Sequence, residues 1–377
     1  MRQIYLAATG QNRGKTTVSL GLLAALLDRG LPTGFIKPVG QRYAFLDGVP
    51  ADEDAILMKH VFGLPDPPSS LSPVHIPRGF TKAFINGEVV EDLGERILAG
   101  YAAVSKDRDV LLVEGTGHAG VGSVVNLSNA AVARMLGARA LIVSEAGVGR
   151  PIDEIVLNRA LFARHGVDVV GAVVNKVDHE AHPTLVTILE RGLHIHGIEL
   201  LGVLPYVPLL SNPTLAVLTE QMPGELLHPG PDLDRPVEQV TIAAMRAEHA
   251  MQNAQPGGLI IVPGDREDVI GAAAAHAAAT RAHAIEVGDD PRRAGLAGLV
   301  LTGGYRPSLF VCDEVRRADL FCYLVEHETY AAASKVHDLL VKTHPADTEK
   351  IAAIKSLVSE HLDIERILER FSEPANA

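Results

Sequence analysis

The stretch ATGQNRGKTT, Ala8 to Thr17, constrains this chain more than any other. It follows the apolar run RQIYLAA and opens an amphipathic stretch, Thr16 to Asp28, with Gly30 where a C-terminal cap belongs. Strand, glycine-bearing turn and helix in that order build a cradle for phosphate. Gly10 and Gly14 reach backbone conformations closed to other residues. Successive N–H groups then point at one anion, helped by the positive end of the helix. In such a cradle Lys15 contacts the outer phosphates and the Thr16 hydroxyl faces Mg²⁺. Gly10, Gln11, Asn12, Arg13, Gly14 and Thr17 complete the nucleotide-binding loop. The usual first glycine would stand at Thr9, so the rival reading is a relic loop with a solvated lysine.

The rest of the chain supplies the frame for that loop. Its 377 residues suffice for about two domains. RQIYLAAT, TGFIKPVG, DVLLVEGTG, ARALIVSEA, DVVGAVVNKV and ELLGVLPYV are short and apolar on both faces, as buried parallel strands are. Helical stretches separate them, so residues 1–210 are predicted to form a doubly wound, mostly parallel α/β sheet. Residues 211–256, rich in proline and turn formers, read as a linker with some helix. Strand-like GGLIIVPGD, LAGLVLTGG and ADLFCYLVEHET then predict a second, smaller α/β domain over 257–377, with helices at its end.

A net charge of −12 argues against nucleic acid as a general partner. No apolar run approaches the ~20 residues a membrane helix needs, and no signal peptide is visible, so a cytoplasmic protein is expected. Cys312 and Cys322 lie in apolar contexts and read as reduced packing residues.

Other strand ends carry candidate partners for the loop. Glu114 ends an apolar strand, where ligands of such sheets gather, and would hold Mg²⁺; the alternative is a solvated edge carboxylate. Lys37, closing FIK, would add positive charge opposite a transferring phosphate. Asp52 and Asp54 stand at a helix start, a place acidic residues favour through the helix dipole alone. In NKVD, Asn175 to Asp178, the Asn175 amide would read a purine edge, and the motif is shared with guanine-nucleotide proteins. His118 lies in the glycine-rich turn after Glu114 and reads as a solvated loop histidine. In the second domain, Arg266 of GDRED and Gly303 and Gly304 of LTGG would meet at one sheet edge and receive a small anion. The alternative is that Arg266 pairs locally and the glycines only form a turn.

Together these residues resemble dethiobiotin synthetase and its P-loop relatives, including the N-terminal region of long bacterial phosphotransacetylases. In that family five residues separate the first glycine from Gly-Lys-Thr, so Ala8 stands at the first glycine and Gly14, Lys15 and Thr16 match. The resemblance implies catalytic roles for Lys15 and Lys37, Mg²⁺ ligation by Thr16, Asp54 and Glu114, an adenine contact by Asn175, and a base pocket lined by Pro205. Residues 257–372 resemble a DRTGG domain, through Asp265-Arg266, Thr302-Gly303-Gly304 and Glu328-Thr329-Tyr330. The phosphotransacetylase catalytic domain is not expected in this chain, and the turn GTGHAGVGSVVNLSNA departs from the synthetase's substrate side. The implied protein binds ATP or GTP with Mg²⁺, hydrolyses it slowly, and senses a metabolite through the DRTGG domain as a homodimer or higher homo-oligomer. The alternatives are a synthetase-type ligase acting on a carboxylate or carbamate, and a regulatory subunit of an acyltransferase.

Overall fold

The computed structural model describes residues 1–89, 91–178, 182–339 and 341–372. The chain divides into two units, Met1–Val207 with Thr343–Ala377, and Pro208–Lys342.

The first unit is built on six strands: β1 (Arg2–Ala8), β2 (Thr33–Ile36), β3 (Val110–Glu114), β4 (Arg139–Glu145), β5 (Val169–Val177) and β6 (Leu200–Pro205). They pair in the order β6-β5-β4-β1-β3-β2, every pair parallel. Helices cover both faces, so Ile4, Leu6, Leu112, Ile142 and Val173 are all fully buried. This burial explains the continuous apolar runs in the sequence. The chain leaves the sheet centre in both directions, and the carboxyl ends of all six strands share one edge, where ligands of such sheets bind.

Helix α1 (Lys15–Asp28) follows the loop and buries residues around most of its circumference, from Val18 to Leu26. One side meets the sheet. The other is covered by the helix Thr348–His361, with the helix Ile364–Ser372 completing the cover. Gly21 makes this approach possible: a Cβ there would lie 2.3 Å from the Val358 side chain. The sequence predicts these C-terminal helices as part of the second domain; in the structure they belong to the first unit. An amphipathic helix records that it has an apolar face, here Ile351, Ile354, Leu357 and Val358, but not which surface covers it.

The second unit holds β7 (Glu225–His228), β8 (Gln239–Ile242), β9 (Gly258–Pro263), β10 (Gly298–Thr302) and β11 (Phe321–Leu324). Their order is β7-β11-β10-β9-β8, parallel except for β7 against β11. Side chains alternate between two cores. Ile260, Val262, Leu299 and Leu301 pack with the helix Glu267–Val287; Leu259, Ile261, Val300 and Phe321 pack with the helices Leu215–Gln221 and Thr329–His337. The stretch 211–256, read from the sequence as a linker with some helix, therefore supplies two strands and two core helices of this unit, Leu215–Gln221 and Ala247–Gln252. Its strands have four residues each, too short between prolines to show a period. Buried Arg235 donates to the carbonyls of Arg292, Arg293, Ala294, Gly295 and Leu296, at up to 3.3 Å, and fixes the turn before β10. Among the described residues no helix is long and apolar enough to cross a membrane.

Candidate functional site

Gly14 takes φ +94° at the head of α1, the left-handed conformation that glycine alone adopts at little cost. A side chain there is excluded twice over, because a Cβ would also lie 1.9 Å from Asn175 Nδ2. The start of the loop is fixed by the Thr9 N–H donating to Val143 O at 2.9 Å and by the Thr9 and Ser144 hydroxyls, 3.2 Å apart. Lys15, the first residue of α1, is 9% exposed. Burial, and then the positive charge of Lys37, lower its pKa to about 8, against the opposing pull of Glu114, Asp54 and Asp52. The balance leaves the buried ammonium less stable than in water, with burial and Lys37 outweighing the three carboxylates.

Lys37 leaves the end of β2 and places Nζ among three carboxylates. It pairs with Asp54 Oδ2, lies 3.0 Å from Glu114 Oε1 and 3.3 Å from Asp52 Oδ1. Burial alone would lower its pKa, but Asp52, Asp54 and Glu114 together hold it well above the ordinary lysine value. Asp52 also caps helix α2 (Glu53–Phe62), accepting the Asp54 N–H at 3.0 Å. Asp52 and Asp54 thus stand at the helix start and beside Lys37 at the same time. Glu114 is fully buried, not a solvated edge carboxylate. Its Oε1 also accepts from Thr16 Oγ1 at 3.2 Å. Burial raises the Glu114 pKa, with the Lys37 ammonium opposing.

The ends of β4 and β5 close the loop from outside. Asn175 Nδ2 donates to Arg13 O at 3.2 Å. Lys176 Nζ donates to Asn12 O at 3.1 Å and to Glu145 Oε1 at 2.8 Å, and Arg13 pairs with Glu145. Sequence reasoning misses Glu145, which no motif marks, and passes over Lys176 although it lies within NKVD; the pairing of β4 with β5 sets both beside the loop. Gly10, Gln11 and Asn12 line the open side, with Gln11 and Asn12 exposed and Thr17 half-buried on the first turn of α1. Pro205 ends β6 opposite Val177. His118 is exposed and stands apart from the cluster, its Nδ1 accepting the Gly120 N–H at 3.2 Å.

In the second unit Arg266, Gly303 and Gly304 make the local bonds of the alternative reading. Arg266 is committed to Asp268, at 2.8 and 2.9 Å, and to Met245 O at 2.9 Å. The Gly303 N–H donates to His327 O at 2.8 Å and the Gly304 N–H to Val325 O at 3.0 Å. The glycines, with φ +82° and +69°, build a turn whose N–H groups are already spent on the chain itself.

A parallel sheet with β1 at its centre, a Gly-Lys-Thr loop leading into α1, and a buried acid at the end of β3 define a P-loop NTPase fold. A family model described as AAA domain matches residues 2–214, more than half of the chain, and the chain belongs to that family. A second model, DRTGG domain, matches residues 217–339. The phosphate acetyltransferase of Pseudomonas putida is 28% identical over 393 residues, covering 99% of this chain and 52% of the relative. That of Nitrosomonas europaea is 26% identical over 387 residues, with the same two coverages. The chain thus spans about half the length of these relatives and is consistent with the N-terminal region of phosphotransacetylases. Among solved structures, the MinC:MinD complex of Aquifex aeolicus aligns over 59% of this chain and 90% of that one, at 18% identity and a TM-score of 0.36.

Proposed function

We propose that the first unit binds a nucleoside triphosphate, ATP or GTP, together with Mg²⁺ and hydrolyses it slowly, and that the DRTGG unit regulates it. The observation that carries this reading is the convergence of Lys15, Thr16, Lys37 and Glu114 at one end of the sheet, with the buried Lys15 ammonium less stable than in water. The Gly10 to Gly14 backbone wraps the phosphates, and Lys15 neutralises the outer ones. Among the described residues no ready cluster of three acidic, histidine or cysteine ligands forms a metal site. Yet the buried Glu114 carboxylate, which accepts the Thr16 hydroxyl through Oε1, forms with that hydroxyl the hard-oxygen donor set a P-loop cation uses. Thr16 and Glu114, with Asp54 behind them, would hold Mg²⁺, which supplies charge neutralisation at the phosphate oxygens. Lys37, tied to three acids, keeps those carboxylates oriented and can follow negative charge developing on a transferred phosphoryl group.

A second reading, ligation of the dethiobiotin synthetase type, draws on the second buried lysine, Lys37, which can stabilise charge on a transferred phosphoryl group. A third, a subunit serving acyl transfer, draws on the phosphate acetyltransferase relatives that match along almost the whole chain.

Calorimetric titration of ATP and GTP, with and without Mg²⁺, into wild type and Lys15→Ala tests the main reading. Micromolar binding that Mg²⁺ strengthens and the variant loses is expected; no binding to wild type at millimolar nucleotide overturns it. Phosphate release that rises sharply with one small carboxylate or amine would transfer the assignment to the ligase. Co-purification with an acyltransferase would favour the subunit.

A further inference from the structure

Asn175 and Lys176 are consecutive residues, yet both side chains reach the phosphate loop. In a regular strand they would point to opposite faces. Two features of β5 resolve the conflict. Val174 pairs with Val203 and Val177 with Pro205, so β5 carries one residue more than β6 across this interval, a bulge. Within it Lys176 takes φ +62°, a left-handed conformation unfavourable for lysine. Such strain persists where its surroundings enforce it, and it concentrates at functional positions. Here the Lys176 N–H is accepted by Asn175 Oδ1 at 2.9 Å, which holds the turned backbone.

The bulge grips the loop at consecutive carbonyls, Asn12 O by Lys176 and Arg13 O by Asn175. Glu145, from β4, ties the grip together by binding both Lys176 and Arg13. Asn12 is itself left-handed, at φ +58°, and Gly14 lies directly under the Asn175 amide. With the carbonyls of residues 12 and 13 drawn outward, the N–H groups of the same stretch are free to face inward, where a phosphate sits.

We propose that Asn175, Lys176 and Glu145 form a latch that sets the shape of the phosphate loop, so that Asn175 governs affinity for the polyphosphate and not the choice of base. This goes beyond the purine contact expected for Asn175 and rests on the nucleotide reading above. The three are positioning residues, acting on ligand through the loop.

The test uses the full chain with Mg²⁺ and three probes: ATP, GTP and inorganic tripolyphosphate. Asn175→Ala is expected to weaken all three by the same factor, about three- to tenfold, the worth of one hydrogen bond. Glu145→Gln is expected to do likewise, and Lys176→Arg to retain most of the affinity. If Asn175→Ala weakens one nucleoside triphosphate and leaves tripolyphosphate unchanged, the residue reads the base and the latch is overturned. Hydrogen exchange of the Gln11 to Gly14 amides decides separately from ligand binding. Faster exchange in Asn175→Ala and Glu145→Gln supports the latch even if wild type binds no nucleotide; unchanged exchange in both overturns it even if wild type binds tightly.

Discussion

Lys37 Nζ and Thr16 Oγ1 share one acceptor, Glu114 Oε1, at 3.0 and 3.2 Å. The lysine comes from the end of β2 and the threonine from the first turn of α1, so the acid at the end of β3 joins two neighbouring connections of the sheet. Removing the cation from this arrangement would leave three carboxylates close together without the ammonium they share. Lys37→Met is expected to destabilise the protein by about 3 kcal/mol, as breaking a buried ion pair does. Urea unfolding measures it. Adding Glu114→Gln should recover part of the loss, so the double variant falls short of the sum of the singles. Additive losses would mean that the two groups do not interact.

Lys15 carries a pH signature of opposite origin. Its folded pKa of about 8 lies below the 10.5 of an ordinary lysine. Between these values the unfolded chain holds a proton that the folded chain has lost, so stability contributed through Lys15 rises with pH across that window. At pH 7 the buried charge opposes folding by on the order of 3 kcal/mol. Lys15→Met should therefore be more stable than wild type at pH 7, and its advantage should shrink as pH rises from 8 toward 10.5. Paired denaturation curves over this range check it; an advantage independent of pH would refute the assignment.

The same lysine couples binding to protonation. A phosphate beside it raises its pKa again, so nucleotide binding above pH 8 should draw a proton from the buffer. Calorimetry of wild type in two buffers of different ionisation enthalpy at pH 8.5 should give enthalpies that differ in proportion; equal enthalpies would refute the proton uptake.

The loop and its two lysines were legible in the sequence because each follows an apolar strand directly, and strand ends of a parallel sheet converge without further information. Asp52 was legible only as a helix-start residue, and Asp54 gained a site role only through the family resemblance, since their place beside Lys37 depends on where that lysine turns. The latch was hidden for a different reason. NKVD suggests a base contact, but the left-handed turn at Lys176 arises from a register shift between β5 and β6 that no local pattern records. Arg266 shows the converse: the composition of an anion site is present, and Asp268, two residues on, neutralises it.

Gly21→Ala tests the docking of the C-terminal helices. The new methyl group would meet Val358 at 2.3 Å, and overpacking of this kind typically costs about 1–3 kcal/mol, partly offset by alanine's better helix propensity. A lowered urea midpoint is expected, with Val358→Ala restoring it in the double variant. No effect of either substitution would mean that the helices do not pack there.

The two thiols should separate cleanly. Burial pushes the Cys322 pKa up to about 12, while Cys312 is partly exposed. A thiol reagent at pH 8 should modify one cysteine per native chain, Cys312, and the second only after denaturation. Two equally fast reactions would contradict the buried position of Cys322.

The surface of α1 around Gly21 is made near the start of the chain and covered by residues more than three hundred positions later. A nascent chain that has emerged only as far as the second unit carries that apolar stripe uncovered. The order of synthesis thus allows the second unit to mature first, as an insert, while the phosphate-loop helix waits for its last neighbour. Premature termination near residue 342 would leave a sheet and loop complete in sequence but open along one flank, a natural substrate for chaperones and proteases.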